Sequence, residues 1–179
     1  MRSKTCSSHP AACGERARFS LAIVCSGFAV GAIAAEPPIL KSGLWEVSRS
    51  TTQQPETRHL TTMCLDESVQ AQMREFGLGV AKELCSKSDR RAEGNRVIID
   101  ATCKLGATTM TTHSVMTFSG NTAYHTEGTA SYDPPLMNVT EAKTSIDGKW
   151  TGACKPGQQP GDITLESGQT INVKSMIRK

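Results

Sequence analysis

The chain has 179 residues, 20 lysines and arginines against 17 aspartates and glutamates, and only two tryptophans, two tyrosines and four phenylalanines. That length suits one domain with a modest core. A net charge of only +3, with few aromatics and none interleaved with a basic cluster, excludes a nucleic-acid surface, which needs a basic stripe for phosphate and rings for bases to stack on.

Residues 1–35 read as a cleavable secretory leader. Arg2, Lys4, Arg16 and Arg18 form a basic head, the apolar run "FSLAIVCSGFAVGAIAA" starts at Phe19, and small residues precede "EPP", so cleavage is expected near Ala35 or Glu36. The run falls short of the roughly 20 residues a bilayer span needs. Val24 stands before Cys25 where a lipoprotein signal places a small residue. The mature chain is then a single β-rich, disulfide-braced domain, residues 36–179, without an integral membrane span. Removing the leader takes four basic residues and Glu15, leaving 16 charges of each sign and no net field to steer an anionic partner.

Cys6, Cys13 and Cys25 leave with the leader, and Cys64, Cys85, Cys103 and Cys154 remain. An even number of cysteines in an exported chain reads as two disulfides. No two of them are spaced as the close pairs that a zinc site favours.

In chain order, "GLWEVSRSTT" alternates apolar and polar residues and predicts a half-buried strand with Trp45 and Val47 on one face. "LDESVQAQMREFG" predicts the one helix, near residues 66–76: Asp66 caps it, Glu67 suits its first turn, Val69, Met73 and Phe76 form a core stripe, and Gly77 ends it. Two hairpins follow, "DRRAEGNRVIID" and "VMTFSGNTAYHT", each turning on Gly-Asn. Such a turn has either a two-residue loop or a three-residue loop with Asn left-handed. A three-residue loop Glu93-Gly94-Asn95 sets Cys85 opposite Cys103, whereas the shorter loop sends them to opposite faces. The longer loop and a Cys85–Cys103 bridge are therefore expected, which leaves Cys64 with Cys154. The same loop at Ser119-Gly120-Asn121 puts Phe118 across from Thr122 and Met116 across from Tyr124 on a core face. On the other face it sets His113 opposite Glu127 and Val115 opposite His125. A third hairpin is expected at Asp147-Gly148, and a short one about Ser167-Gly168.

Short antiparallel strands, tight turns and one helix predict a mainly β fold, a meander curved into a partly open barrel. The nearest alternative is an α+β sheet with the helix on one face.

Chemistry is sparse. No nucleophile elbow, metalloprotease helix or phosphate loop is present. The best constellation is His113, His125 and Glu127, two imidazoles and a carboxylate of the kind that holds hydrolytic zinc. Met110 and Met116 offer soft thioethers, better suited to filling a core.

"PPILKSGLWEV", the central cysteines, and "DGKWTGACKPG" followed by "GDITLESGQTINV" resemble a family of small exported bacterial proteins known as domain of unknown function three-six-one-seven. The resemblance implies a periplasmic location in a Gram-negative bacterium and brings no activity and no catalytic residue. Gly43-Leu44-Trp45 is also similar to the Gly-x-Trp that opens the first strand of lipocalins, where the tryptophan closes one end of a barrel for apolar ligands. The function expected is therefore a periplasmic, non-enzymatic module, without cofactor, that binds a small apolar ligand or an envelope partner. Trp45, Trp150, Met116 and Tyr124 are the candidate ligand contacts. Two alternatives stand beside it: a metal-dependent hydrolase using His113, His125 and Glu127, and an inhibitor or assembly factor acting through the proline-stiffened "YDPPLMN", Tyr132 to Asn138.

Overall fold

Period-two alternation and tight turns dominate the chain, and in the computed structural model, which describes residues 37–177, they build one antiparallel sheet. The leader expected at residues 1–35 lies outside the described residues. The elements are β1 (Gly43–Thr51), β2 (Gln54–Leu65), α1 (Glu67–Leu84), β3 (Cys85–Glu93), β4 (Arg96–Leu105), β5 (Thr108–Ser119), β6 (Ala123–Leu136), β7 (Val139–Gly152), β8 (Asp162–Thr164), β9 (Thr170–Asn172) and α2 (Val173–Ile177). They pair in the order β3-β4-β5-β6-β7-β1-β2-β8-β9. A meander from β3 to β7 is thus extended by the β1–β2 hairpin and then by the short β8–β9 hairpin. The sheet does not close. No helix among the described residues is long and apolar enough to cross a membrane.

The helix starts where its capping residue predicts. Asp66 accepts hydrogen bonds from the Val69 N–H at 2.8 Å, one of the backbone donors the first turn leaves open, and from the Ser68 hydroxyl at 2.8 Å. The Val69 N–H in particular holds the Asp66 carboxyl below its ordinary pKa. The helix does not stop at Gly77, as expected from sequence, but runs on to Leu84. An interior glycine costs a helix only about 1 kcal/mol, and "LGVAKEL" supplies good helix formers beyond it. The helix ends where Cys85 turns extended, its N–H still bonded to the Ala81 carbonyl. The expected core stripe is also shortened. Val69 is fully buried, but Met73 and Phe76 are exposed, because beyond its first turn α1 stands away from the sheet.

The turns correct the expected registers. The first hairpin has a two-residue loop, with Glu93 opposite Arg96 and Gly94 at φ 61, where a type II′ turn takes glycine. A bulge between Cys85 and Lys87 then absorbs the one-residue difference and still sets Cys85 opposite Cys103. The second loop is three residues but begins one residue later, with Ser119 opposite Ala123. Phe118 therefore faces Tyr124, and Met116 faces Thr126.

No turn forms at Asp147-Gly148, because β7 runs straight through both residues. The chain reverses instead at Met137 and Asn138, whose φ of 49 and 66 suit a type I′ turn. The segment from Tyr132 to Asn138 is thus the end of β6 plus this turn rather than a free loop. Gly148 serves close packing: a Cβ there would lie 2.2 Å from Tyr124 Cε1.

One disulfide joins elements distant in sequence and the other braces a single hairpin. Cys64 bonds to Cys154 with an S–S distance of 1.99 Å, and Cys85 to Cys103 at 2.05 Å, the pairs expected from sequence. The first fastens the end of β2 to the loop after β7; the second fastens the start of β3, directly after α1, to β4. Trp45, Leu65 and Val69 form the buried core, with Leu40, Met63, Tyr124, Trp150 and Val173 packed around them.

Candidate functional site

Register places a set of side chains on the sheet face that α1 crosses. Arg90 of β3 pairs with Ile99 of β4, Val97 of β4 with Met116 of β5, and Phe118 of β5 with Tyr124 of β6. Directly paired antiparallel residues share a face, and so do alternate residues of a strand. From β1 and β2 the same face receives Trp45 and Met63, which also pair.

The helix must travel from β2 to β3, six places apart in the sheet order. On a flat sheet that is about 29 Å at a spacing near 4.8 Å, and an 18-residue helix spans about 27 Å. Yet Met63 and Leu65 of β2 and Arg90 of β3 line one cavity of about 530 Å³. The sheet therefore curls, and α1 lies across its hollow. Ala71, Met73, Arg74 and Leu78 of α1 form the roof, while Ile99, Met116, Phe118 and Tyr124 form the floor. The volume falls within the roughly 300–1,000 Å³ of small-molecule sites, and the lining is mostly apolar, as in such sites.

The third wall is residues 37–40, held by one side chain. The Gln70 amide accepts from the Leu40 N–H at 2.8 Å and donates to the Leu40 carbonyl at 2.9 Å. This pairing satisfies the polar groups of a backbone that would otherwise be unpaired beside an apolar space.

The candidate ligand contacts divide. Met116 and Tyr124 line the cavity, whereas Trp45 and Trp150 do not. Trp45 is 1 % exposed and stacks behind Tyr124, with ring centroids 5.8 Å apart. Trp150 is its cross-strand neighbour. The two indole N–H groups donate to adjoining parts of one segment, Trp45 to the Lys41 carbonyl at 2.8 Å and Trp150 to the Ser42 carbonyl at 3.1 Å. The Lys41 ammonium lies 3.6 Å from the centroid of the Trp150 ring, a cation–π contact.

The Gly-x-Trp units are therefore packing devices. Gly43, at φ 136, would carry a Cβ 2.6 Å from Trp150 Nε1, so the glycine of the first unit admits the indole of the second. Gly148 in turn admits the ring of Tyr124, which closes the cavity floor.

His113, His125 and Glu127 share the opposite face but do not converge. His113 is opposite Thr129 and His125 opposite Thr117, so the two imidazoles stand four residues apart on β5, about 13 Å. The expected register overlooked that the loop runs from Gly120 to Thr122, which moves every partner by two residues. Among the described residues no group of three His, Cys, Asp or Glu side chains stands ready to hold a metal ion. Each histidine instead meets its own carboxylate. His113 Nδ1 is 2.7 Å from Asp100 Oδ1, and Arg91 donates to Asp100 Oδ2 at 2.6 Å. The hydrogen bond from His113, then that from Arg91, holds Asp100 below its ordinary pKa. His125 Nδ1 is 2.7 Å from Asp147 Oδ1, with Glu127 Oε1 3.7 Å from Nε2. Asp147 foremost raises the His125 pKa.

A family model described as a protein of unknown function (DUF3617) matches residues 40–154. The chain belongs to this family. The matched span starts at Leu40 on the cavity wall and ends at Cys154, so it holds β1 to β7, α1 and both bridges, and it omits β8, β9 and α2. No curated protein and no solved structure matches the chain.

Sequence reasoning missed Leu40, Gln70, Ile99 and above all Arg90 as parts of the site. With the three-residue loop, Arg90 would have faced Ile98 and pointed to the other side of the sheet. A one-residue change of turn length moved it to the cavity face.

Proposed function

We propose that this protein is an exported, non-enzymatic binding module that holds a small apolar ligand beneath α1. The observation that carries the proposal is the cavity of about 530 Å³ between α1 and the curled sheet, lined chiefly by aliphatic, thioether and aromatic side chains. Two disulfides suit an oxidising compartment and support export to the periplasm, as does the leader expected from the sequence at residues 1–35. The low burial of α1 between Val69 and its end at Leu84 supports entry, since a segment with few buried side chains opens locally at low cost.

Calorimetric titration with straight-chain alcohols of increasing length tests the reading. Each methylene buried contributes about 0.8 kcal/mol, so affinity rises about fourfold per carbon until the cavity is full. Ala71→Trp, which fills the roof, abolishes the increment while the fold persists. Affinity independent of chain length, or unaffected by Ala71→Trp, contradicts the proposal.

A second reading, an envelope protein partner, is favoured by Phe76, Val80 and Leu84, which lie exposed on α1 outside the cavity lining. Crosslinking from position 80 in intact cells tests it: a discrete adduct is expected, and none is expected if these residues meet only water.

A further inference from the structure

Arg90 sits on the cavity face of β3, opposite Ile99, at the edge of the sheet. Its Nε is buried and has no hydrogen-bond partner, and no ion pair reaches its guanidinium among the described residues. Folded proteins seldom leave a buried polar donor unpaired, and an arginine cannot relieve the burial by losing its proton. Among the described residues the single carboxylate of the lining, Glu67, belongs to the first turn of α1 and does not pair with Arg90.

We infer, on the basis of the apolar-ligand reading, that the occupant is a single-chain amphiphile with an anionic head, a carboxylate or a phosphate, bound by Arg90. The guanidinium fork matches both heads and forms two parallel charge-assisted hydrogen bonds with either. The head lies at the open β3 edge, where its remaining oxygens stay hydrated. The tail runs beneath α1 over Ile99, Met116, Phe118 and Tyr124 toward Leu65.

The test is calorimetric titration of the full chain with dodecanoate, dodecyl phosphate, dodecan-1-ol and dodecyltrimethylammonium, each below its aggregation concentration. Both anions are expected to bind at least about tenfold more tightly than the alcohol, and the cation more weakly than either, as for a charge-assisted hydrogen bond. The tighter of the two anions identifies the head as carboxylate or phosphate. Arg90→Met removes the preference for anions over the alcohol, and Arg90→Lys, which keeps the charge but not the fork, retains part of it. Equal binding of dodecanoate and dodecan-1-ol overturns the inference while leaving the apolar cavity standing. So does an equal loss in all arms with Arg90→Met. Binding in no arm overturns the apolar-ligand reading and the inference with it.

Discussion

Replacing Gly148 by alanine sets two effects against each other. Its φ lies outside the left-handed region, so alanine fits the local backbone, and in a strand interior that exchange by itself stabilises by about 0.5–1 kcal/mol. The new Cβ, however, would lie 2.2 Å from Tyr124 Cε1, 2.3 Å from Cζ and 2.8 Å from Cδ1. Ordinary carbon contacts begin near 3.5 Å, so the ring must move by more than about 1 Å. It has little room to do so, with Trp45 stacked behind it and Phe118 its cross-strand neighbour. Overpacking of this kind costs about 1–3 kcal/mol, and after the backbone gain a net loss of about 1–2 kcal/mol is expected. Urea denaturation reads it as a lower midpoint at unchanged slope. In a Tyr124→Ala background the collision is absent, and Gly148→Ala should become neutral or stabilising. A stabilising Gly148→Ala in the native background, or the same loss in both backgrounds, would refute the reasoning.

The remaining expectations concern the bridges, the cap and one histidine. Replacing Cys64 and Cys154 by serine removes a bridge of sequence separation 90 and should cost about 4–5 kcal/mol, against about 3 kcal/mol for the pair Cys85 and Cys103 of separation 18, measured by denaturant melts. The reverse order would show that the longer closure does not dominate. Asp66→Ala should lower stability by about 1 kcal/mol at neutral pH. The loss should vanish in acid, because a depressed carboxyl pKa contributes stability that is present above the unfolded value near 3.8 and lost as pH falls through the folded one. The raised His125 pKa has the opposite sign: its contribution is complete below about 6.5 and lost as pH rises through the folded value. With the side chain 45 % exposed, screening keeps that contribution below about 1 kcal/mol. Proton NMR should find the His125 midpoint above 6.5 and moved down by Asp147→Asn; a midpoint unaffected by that change would detach the shift from Asp147.

What the sequence disclosed, and what it hid, follows from how each signal is encoded. The cap at Asp66, the alternation around Trp45 and the cysteine pairs rest on local chemistry or on a covalent requirement, and all were legible. Loop length was not. Gly94-Asn95 fits two turn types, and the bulge after Cys85 lets the shorter one keep Cys85 opposite Cys103. That ambiguity hid Arg90, because one residue of register decides whether a side chain faces the cavity or solvent. Asp147-Gly148 carried a strong turn signal for another reason: the glycine makes way for a ring 24 residues earlier, and the aspartate meets His125. The histidine cluster failed through the same sensitivity, since a loop beginning one residue later shifts its partners by two. Gly77 misled because the end of α1 is set by where Cys85 must stand, a tertiary demand that local propensity does not express.

The central claim is that a ligand enters the space between α1 and the sheet, and the chain's methionines are placed to report it. Met63, Met73 and Met116 line the cavity, while Met110 does not and Met137 is 91 % exposed at the β6–β7 turn. In a methyl NMR titration of methionine-labelled protein with dodecanoate, the Met63, Met73 and Met116 signals should shift together and saturate, with Met110 and Met137 unmoved. Saturable shifts at Met137 alone, or no shift at Met63 and Met116, would contradict the claim.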